Sequence, residues 1–328
     1  MRSGTSTSTS TTEQLWTCRA GFEPDLAEEV LGKILGPALV RGRAARDRIP
    51  TFGRQGLPIQ AELAPTVAAC LPRVEELARD GAFALHVWVP DSDEGNRLNG
   101  LADQLGRDLR AELGELRTRE KRADRLEPSA PLVQIAVVAP DRACVGALPV
   151  SEAASSWPGG RARMKLPPGA PSRATLKLLE ALEWAGIGPG PGELCVDLGA
   201  APGGWTFVLL QRRARVIAVD RAAMAPGIAR DRRLSHARDN AFDYRPDEPA
   251  DWLFCDMVHK PTEVARLIAR WGKEGLARLV VSNLKLPMKR RLPAVAEARR
   301  IVESGGWRDL RTRQLYHDRD EITLFAHT

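Results

Sequence analysis

Disulfide frameworks, zinc sites and membrane spans all lack their sequence signatures in this chain. The five cysteines show no C-x-x-C spacing and the five histidines no metal-ligand spacing, which argues against both disulfide and zinc patterns. No apolar run approaches the ~18 residues that a membrane-spanning helix needs. Residues 1–12 are rich in Ser and Thr without an apolar centre, so they predict a disordered tail rather than a secretory signal. We therefore expect a cytoplasmic protein that holds no metal.

Tyrosine and lysine are also scarce. Two tyrosines and seven phenylalanines leave little aromatic surface on which single-stranded bases could stack, so recognition of a nucleic acid would depend on phosphates and shape. Of the 48 basic residues, eight are lysine. Because arginine cannot lose its proton, a lysine kept in an arginine-rich chain can mark a position where proton loss matters.

Positive charge is concentrated in the second half of the chain. Residues 1–150 contain 19 Lys and Arg against 21 Asp and Glu, whereas residues 151–328 contain 29 against 21. The net charge of +6 therefore comes wholly from the second half, which favours a polyanionic partner there. An arginine-rich composition without any ligand would explain the same count.

Two α/β regions are predicted, over 13–150 and 161–328, with a linker over 151–160 that shows no periodicity. In the first region the expected elements are strands over 14–18, 83–89 and 131–138 and helices over 24–35, 63–78 and 98–116. Residues 36–60 are rich in Gly, Pro and Arg, and their pattern predicts no element.

In the second region strands and helices alternate, which is typical of a doubly wound parallel sheet. The expected elements are strands over 193–198, 215–219, 251–255 and 278–283 and helices over 173–186, 204–213, 260–271 and 293–303. Two final apolar pieces, 307–315 and 321–326, predict an antiparallel hairpin at the edge of that sheet.

The most informative stretch is the loop after the first strand of the second region. An apolar run ends at Leu198 and passes through Gly199-Ala200-Ala201-Pro202-Gly203-Gly204 into an amphipathic segment. Glycines let the backbone approach a ligand closely, and a helix N-terminus offers unpaired N–H groups there. The next apolar run ends at Asp220, about 20 residues later, where a carboxylate can accept hydrogen bonds from ribose hydroxyls. The glycine spacing is not that of nicotinamide enzymes and is similar to the first motif of S-adenosylmethionine-dependent methyltransferases.

Five segments in one order carry a resemblance to a known family. They are PSRATLKL (171–178), DLGAAPGGWT (197–206), CDMV (255–258), NLKLPMK (283–289) and LYHDRDEIT (315–323). The chain resembles the ribosomal RNA large-subunit methyltransferase M family, a bacterial branch of the FtsJ-like ribose 2′-O-methyltransferases, over nearly its whole length. The resemblance implies a Rossmann-like class I methyltransferase fold in the second region, with S-adenosylmethionine as cofactor. It also implies a THUMP-like RNA-binding module in the first region and a cytidine in the peptidyl-transferase region of 23S ribosomal RNA as target.

FtsJ-like enzymes use a Lys-Asp-Lys-Glu tetrad, which the resemblance carries to Lys177, Asp256, Lys285 and Glu321. Methyl transfer from a sulfonium needs an aligned nucleophilic oxygen that loses its proton. We expect Lys285 to be the base and Lys177 to be the neighbouring cation that favours its neutral form. Asp256 is expected to orient the Lys285 amine, and Glu321 is expected to anchor Lys177.

These residues also have plainer interpretations. Lys177 precedes Glu180 by three residues on a predicted helix, so the two could form a surface ion pair. Asp256 could be an ordinary acid at a strand end, and Glu321 an ordinary acid in a hairpin loop.

The resemblance also implies cofactor contacts from the glycine loop and from segments on either side of it. The expected cofactor residues are Ser172, Ala201, Pro202, Gly203, Gly204, Asp220, Asp256 and either Asp239 or Asn240. The acid that the family places beside the adenine aligns to Asp239 or to Asn240, and the sequence leaves the choice open.

Basic clusters are candidate phosphate contacts. Lys289-Arg290-Arg291 directly follows the predicted catalytic loop, so it ranks first. Arg161, Arg163 and Lys165 rank second, and the segment 117–125 is equally well explained as a solvated face.

Three questions stay open at this stage. The same chemistry could act on another RNA such as tRNA, or the chain could be a ribosome assembly factor that binds S-adenosylmethionine and RNA without turnover. The 23S substrate could be naked RNA or an assembly intermediate. A monomer is expected, since no heptad repeat or long exposed apolar stripe is visible.

Overall fold

The computed structural model describes residues 13–43 and 49–328, which divide into two units, Met1–Ala162 and Arg163–Thr328. The predicted tail over 1–12 lies outside the described residues. None of the helices in the described parts of the chain has the length and apolar character to cross a bilayer.

Four short antiparallel strands form the first sheet of the N-terminal unit. They are β1 (Gln14–Thr17), β2 (Lys33–Gly36), β3 (Leu39–Gly42) and β4 (Gln55–Pro58), in the order β2-β3-β1-β4. Helix α1 spans Glu23–Glu29. The helix expected over 24–35 is therefore wrong in its second half. Leu31 has a φ of 47°, and a Cβ on Gly32 would lie 2.6 Å from the Arg41 carbonyl oxygen, so the chain turns there and returns as β2.

A second sheet with helices against it completes the N-terminal unit. Its strands are β5 (Ala61–Leu63), β6 (Ala84–Trp88), β7 (Pro131–Ala139) and β8 (Arg142–Pro149), in the order β5-β8-β7-β6. The helices are α2 (Val67–Leu77), α3 (Asp93–Arg97) and α4 (Asn99–Glu112). The expected strands over 83–89 and 131–138 are confirmed. The helix expected from residue 63 begins at Val67, because Leu63 belongs to β5 and Thr66 caps the helix.

Residues 151–160 are bonded to the N-terminal unit. The Gln55 side chain donates to the Ser155 carbonyl and accepts from the Ala154 N–H, and the Thr17 hydroxyl donates to the Gly159 carbonyl at 3.0 Å. The chain passes into the second unit at Arg163.

The second unit contains one seven-stranded sheet. Its strands are β9 (Leu194–Leu198), β10 (Arg215–Val219), β11 (Leu234–Ala237), β12 (Ala250–Cys255), β13 (Ala277–Lys285), β14 (Arg308–Arg313) and β15 (Glu321–His327). Its helices are α5 (Ala174–Ala185), α6 (Gly204–Gln211), α7 (Pro226–Ala229), α8 (Pro261–Lys273) and α9 (Arg291–Glu303). The strand order is β11-β10-β9-β12-β13-β15-β14, with β15 antiparallel to both neighbours. The predicted doubly wound sheet with an antiparallel edge hairpin is confirmed.

The strand order reverses direction beside β9. From β9 the chain moves outward to β10 and β11 and then crosses back to β12 on the other side of β9. In open α/β sheets, ligands bind at the carboxyl ends of the strands where the order reverses. The sheet therefore presents a ligand site at the carboxyl ends of β9 and β12.

Large apolar side chains fill the space beneath the glycine loop. Trp205 is 2 % exposed and meets Phe254 edge-on, and Phe254 stacks on Trp252. Trp205 thus supports the loop from the core, which favours a packing role over direct ligand contact.

All five cysteines are buried and none of them forms a disulfide.

Candidate active site

The four predicted catalytic residues come from four elements of the second unit and meet at one edge of its sheet. Asp256 directly follows β12, and Lys285 is the last residue of β13, so both lie at the carboxyl ends of parallel strands. Glu321 begins β15, and the antiparallel pairing of β15 with β13 sets it opposite Lys285. Lys177 reaches the same edge from helix α5.

Lys177 joins two carboxylates. Its Nζ lies 3.0 Å from Asp256 Oδ1 and 2.7 Å from Glu321 Oε2, and the three side chains are between 12 and 18 % exposed. The alternative of a surface ion pair between Lys177 and Glu180 is wrong. The Glu180 carboxylate instead accepts hydrogen bonds from the turn that precedes Glu321.

Burial and charge oppose each other in this cluster. Burial lowers the pKa of Lys177, but the Asp256 and Glu321 carboxylates outweigh burial and raise it, so Lys177 is an ammonium at neutral pH. Burial raises the pKa of Asp256 to about 6, against the opposing charge of Lys177. Asp256 is therefore ionised at neutral pH and takes up a proton as the pH falls through 6.

Lys285 lies beside this ion pair without joining it. Its cross-strand partner is Glu321, so the two side chains lie on the same face of the sheet, and its charge acts on Asp256. Across residues 13–43 and 49–328, Lys285 Nζ makes no hydrogen bond and no salt bridge. Asp256 accepts from Lys177 with both oxygens, at 3.0 and 3.3 Å, rather than from Lys285 as the resemblance implies.

Asn283 and Asp318, which the sequence does not single out as site residues, both support Glu321, Asn283 by direct contact and Asp318 through Asn283. The Asn283 Nδ2 lies 3.3 Å from Glu321 Oε2 and also 3.3 Å from Asp318 Oδ1. Asp318 is fully buried and accepts from the Thr323 hydroxyl, and burial raises its pKa well above the usual value. Glu321 is thus fixed by Lys177 on one side and by an amide on the other.

The glycine loop leaves no space for side chains at two positions. Gly203 has a φ of 110°, and a Cβ there would lie 2.1 Å from Ile228 Cδ1. A Cβ on Gly204, the first residue of α6, would lie 2.3 Å from Ser172 Oγ. The backbone of this loop is therefore held close to the segment that precedes α5.

Two more carboxylates flank the loop. Asp220, directly after β10, accepts from the backbone N–H groups of Ala201 at 3.0 Å and Ala222 at 2.8 Å, so it shapes the loop itself. Asp197, on β9, accepts from the Thr206 hydroxyl at 2.7 Å. Burial raises the pKa of Asp197 to about 7 against that hydrogen bond, and the charges of Asp256 and Asp220 add to the rise. Among the described residues no group of three or more His, Cys, Asp or Glu could hold a metal ion.

Ser172 supplies an unsatisfied polar atom at this cleft. Its Oγ is buried and has no hydrogen-bond partner in the described parts of the chain. A buried hydroxyl without a partner costs about 1–3 kcal/mol, which a polar ligand could recover. Converging carboxylates, a close backbone and a free hydroxyl together fit a small cationic ligand with polar groups.

Asp239 and Asn240 follow β11 at the same carboxyl edge. Asp239 is exposed and accepts from the Asn240 N–H at 2.6 Å, and the Asn240 amide donates to Asp243. Neither of the two contacts the glycine loop through a hydrogen bond in the described structure, so the choice between them stays open.

The candidate phosphate-binding residues differ in their exposure and in their ion pairs. Lys289 and Arg290 are exposed just beyond β13, and Arg163 and Lys165 are exposed near the start of the second unit. Arg161 instead pairs with Asp91 at 3.2 Å within the first unit. The exposed residues after β13 therefore keep their place as the first candidates.

Comparison with known proteins agrees with this geometry. The model of the FtsJ-like methyltransferase family matches residues 170–287, which include the glycine loop, Lys177, Asp256 and Lys285. Ribosomal RNA large subunit methyltransferase M from Alkalilimnicola ehrlichii is 38 % identical, with 96 % of this chain and 94 % of that protein covered. The proteins of the same name from Halorhodospira halophila and Xylella fastidiosa are 39 and 36 % identical, with 89 and 94 % of this chain and 81 and 97 % of those proteins covered.

Proposed function

The chain belongs to the ribosomal RNA large subunit methyltransferase M family, and from that premise we propose that it methylates a ribose 2′-hydroxyl in ribosomal RNA. It is a methyltransferase whose cofactor is S-adenosylmethionine. The proposed target is a cytidine in the peptidyl-transferase region of 23S ribosomal RNA, as naked RNA or within an assembly intermediate. One observation carries the mechanism. Two lysines lie at one edge of the sheet. Lys177 forms salt bridges with two carboxylates, whereas Lys285 forms no hydrogen bond or salt bridge among the described residues.

The proposed cofactor site is the carboxyl edge of β9, β10 and β12. When bound, S-adenosylmethionine supplies a methyl group on a positively charged sulfur. The residues proposed to hold it are Ser172, Ala201, Pro202, Gly203, Gly204, Asp220, Asp256 and either Asp239 or Asn240. This assignment is supported by the closed space at Gly203 and Gly204 and by the unsatisfied Ser172 hydroxyl.

We assign the role of general base to Lys285. Its neutral amine would accept the proton of the ribose 2′-hydroxyl as the bond between that oxygen and the methyl carbon forms and the methyl–sulfur bond breaks, leaving a neutral thioether. The resulting ammonium would return the proton to solvent. The absence of a hydrogen bond or salt bridge from Lys285 Nζ in the described residues supports this role.

Lys177 is proposed to act as a fixed cation rather than as a base. Because Asp256 and Glu321 raise its pKa, it keeps its proton at neutral pH. By binding both Asp256 oxygens, at 3.0 and 3.3 Å, this fixed cation leaves Lys285 outside the ion pair. Asp256 and Glu321 hold that charge in place, and Glu321 is proposed to contact the substrate ribose as well.

For the first unit we propose a THUMP-like role in RNA binding, centred on a cleft of about 440 Å³. Arg117, Lys121 and Arg122 line this cleft together with Trp157, on which a base could stack. Also lining the cleft is His86, whose pKa is lowered to about 4 by burial and by the Arg110 charge. Its Nδ1 is buried without a hydrogen-bond partner in the described residues, so the neutral ring belongs to the wall of the cleft rather than to its open surface.

Replacing Lys121 with alanine is expected to weaken RNA binding and to flatten its salt dependence. Loss of one phosphate contact to single-stranded RNA should reduce the slope of log affinity against log salt by about 0.7. Filter binding of a 23S fragment between about 50 and 200 mM salt would measure the change. Lys273→Ala, an exposed lysine at the end of α8, serves as the control and should leave the slope unchanged. An unaltered slope in Lys121→Ala would remove the cleft from the RNA surface.

The affinity for S-adenosylmethionine is expected to rise with pH. Asp197 and Asp256, with pKa values raised to about 7 and about 6, are partly protonated below neutral pH. Since a cationic ligand binds the ionised carboxyls better, it favours proton release, so affinity should be roughly tenfold weaker at pH 5.5 than at pH 8. Calorimetric titration at both pH values would measure this, and Asp197→Asn should reduce the difference. Equal affinities in the wild type would show that ionisation of these two acids does not govern cofactor binding.

The deciding experiment is transfer of labelled methyl groups to unmodified total ribosomal RNA and tRNA, followed by nucleoside digestion. Label in 2′-O-methylcytidine from large-subunit RNA would support the proposal. Label in tRNA would keep the chemistry and change the substrate. No label in free RNA or in isolated assembly intermediates, with the cofactor still bound, would favour a non-catalytic assembly factor.

We further propose that the protein acts in the cytoplasm and that it is a monomer. Light scattering of the purified protein would test the oligomeric state.

A further inference from the structure

Glu180 is a buried acid whose carboxylate accepts hydrogen bonds from a single turn. It lies three residues after Lys177 on α5, on the same helix face, and is 8 % exposed. Its Oε1 accepts from the Tyr316 N–H at 2.8 Å, and its Oε2 accepts from the His317 N–H at 2.9 Å. The same Oε2 lies 2.7 Å from His317 Nδ1. Three polar groups of one short segment therefore converge on a single carboxylate.

The turn that Glu180 holds leads directly into Glu321. It connects β14 to β15 and contains Tyr316 and His317. Its other side is tied to β13, because the Leu286 N–H donates to the Asp320 carbonyl at 2.7 Å. The residue before Glu321 is thus bonded to the residue after Lys285, while the start of the turn is bonded to the helix that carries Lys177.

We propose that Glu180 is a positioning residue for the ion pair between Lys177 and Glu321. This proposal rests on the function proposed above, in which Glu321 holds Lys177 for catalysis. Lys177 and Glu180 share one helix, and their partners share one turn, so the two contacts fix the turn against the helix at two points. With Glu180 removed, the turn would lose its hydrogen bonds to helix α5, and the 2.7 Å salt bridge of Lys177 with Glu321 would have to hold this segment against the helix. Small displacements of catalytic groups cost rate rather than binding.

The test is Glu180→Gln beside Glu183→Gln, the same change at an exposed position of the same helix. A glutamine amide keeps one accepting oxygen and sets N–H against N–H at the other, so part of the contact is lost. We expect at least a tenfold loss of kcat in Glu180→Gln, with S-adenosylmethionine affinity within about twofold of the wild type. In a Glu321→Gln background the same change should add less than about twofold, because the two residues act as one unit.

Two results would overturn the proposal. One is a full, multiplicative loss in the double variant, which would show that Glu180 acts independently of Glu321. The other is a loss of kcat that disappears at lower assay temperature together with partial unfolding, which would show a purely structural role. Should Glu180→Gln fail to fold, His317→Ala removes only the ring contact and should give a smaller loss of the same kind.

Hydrogen exchange provides a readout that needs no turnover. Amides in the segment 314–322 should exchange faster in Glu180→Gln than in the wild type, whereas Glu183→Gln should leave them unchanged. Unchanged exchange in Glu180→Gln would reject the positioning role whatever the protein methylates. Faster exchange in a protein that methylates no RNA would instead leave the anchoring of the turn intact and count against the proposed function.

Discussion

Replacing Lys285 with arginine is expected to abolish methyl transfer although the positive charge is kept. If Lys285 removes the proton of the 2′-hydroxyl, the residue must reach a neutral form, and arginine does not. Loss of a positioned base costs about 10²- to 10⁴-fold in rate. Single-turnover transfer of labelled methyl to 23S RNA would measure the rate, and calorimetry should find S-adenosylmethionine affinity within a few-fold of the wild type. Lys285→Ala should be equally inactive.

The matched control for this experiment is Lys273→Arg. Lys273 is exposed at the end of α8, and the change should leave the rate unaltered. Substantial turnover by Lys285→Arg would show that charge at this position is sufficient, and the role of base would then have to pass to another group. Loss of cofactor affinity in parallel with rate would instead indicate a distorted site.

The chemistry of the site follows from the ends of the strands, which the sequence shows clearly. β12 and β13 are buried apolar runs, and Asp256 and Lys285 mark the places where these runs end. Parallel strands bring their carboxyl ends to one edge, so residues far apart in sequence meet there. The set of four catalytic candidates could therefore be predicted from the sequence and the resemblance together.

The contact between Glu321 and Lys177 agrees with the expectation, but the partner of Asp256 could not be predicted. Whether Asp256 pairs with Lys177 or with Lys285 depends on the directions of the side chains and on which lysine Nζ lies closer to the carboxylate. The sequence alone gives neither the directions nor the distances. For the same reason Glu180 looks like half of a surface ion pair in the sequence, whereas the structure buries it against a turn. Asp318, a fully buried acid held by hydrogen bonds, is indistinguishable from a solvated loop acid until its partners are known.

Short strands with little burial were the elements that the sequence pattern failed to predict. β11 reads Leu-Ser-His-Ala and is an edge strand with little burial, so it has no apolar run to reveal it. β2 has apolar residues that continue the helical stripe of α1, and the turn at Leu31 and Gly32 separates the two. Periodicity detects segments that bury one face, and both of these strands bury too little for it to succeed.

Replacing Lys177 with methionine is expected to remove activity and to destabilise the protein in a pH-dependent way. Methionine leaves Asp256 and Glu321 without their shared cation, and breaking a buried ion pair by removing one partner costs on the order of 3 kcal/mol. Loss of the Lys177 charge would raise the pKa of Asp256 further above about 6, since that charge now lowers it. A raised carboxyl pKa gives stability that is present at low pH and lost as the pH rises through it. The penalty should therefore be small near pH 5 and complete at pH 8.

Thermal unfolding of wild type and Lys177→Met at pH 5 and pH 8 would measure this difference. Lys177→Arg is the informative partner variant, because it restores the charge between the two carboxylates without restoring a titratable amine. If Lys177 acts as a fixed cation, Lys177→Arg should recover most of the stability at pH 8 and part of the methyl transfer, whereas Lys285→Arg recovers none. The reverse outcome, an active Lys285→Arg with an inactive Lys177→Arg, would exchange the roles of the two lysines. Two arginine substitutions at one sheet edge thereby separate the residue that must lose a proton from the residue that must keep one.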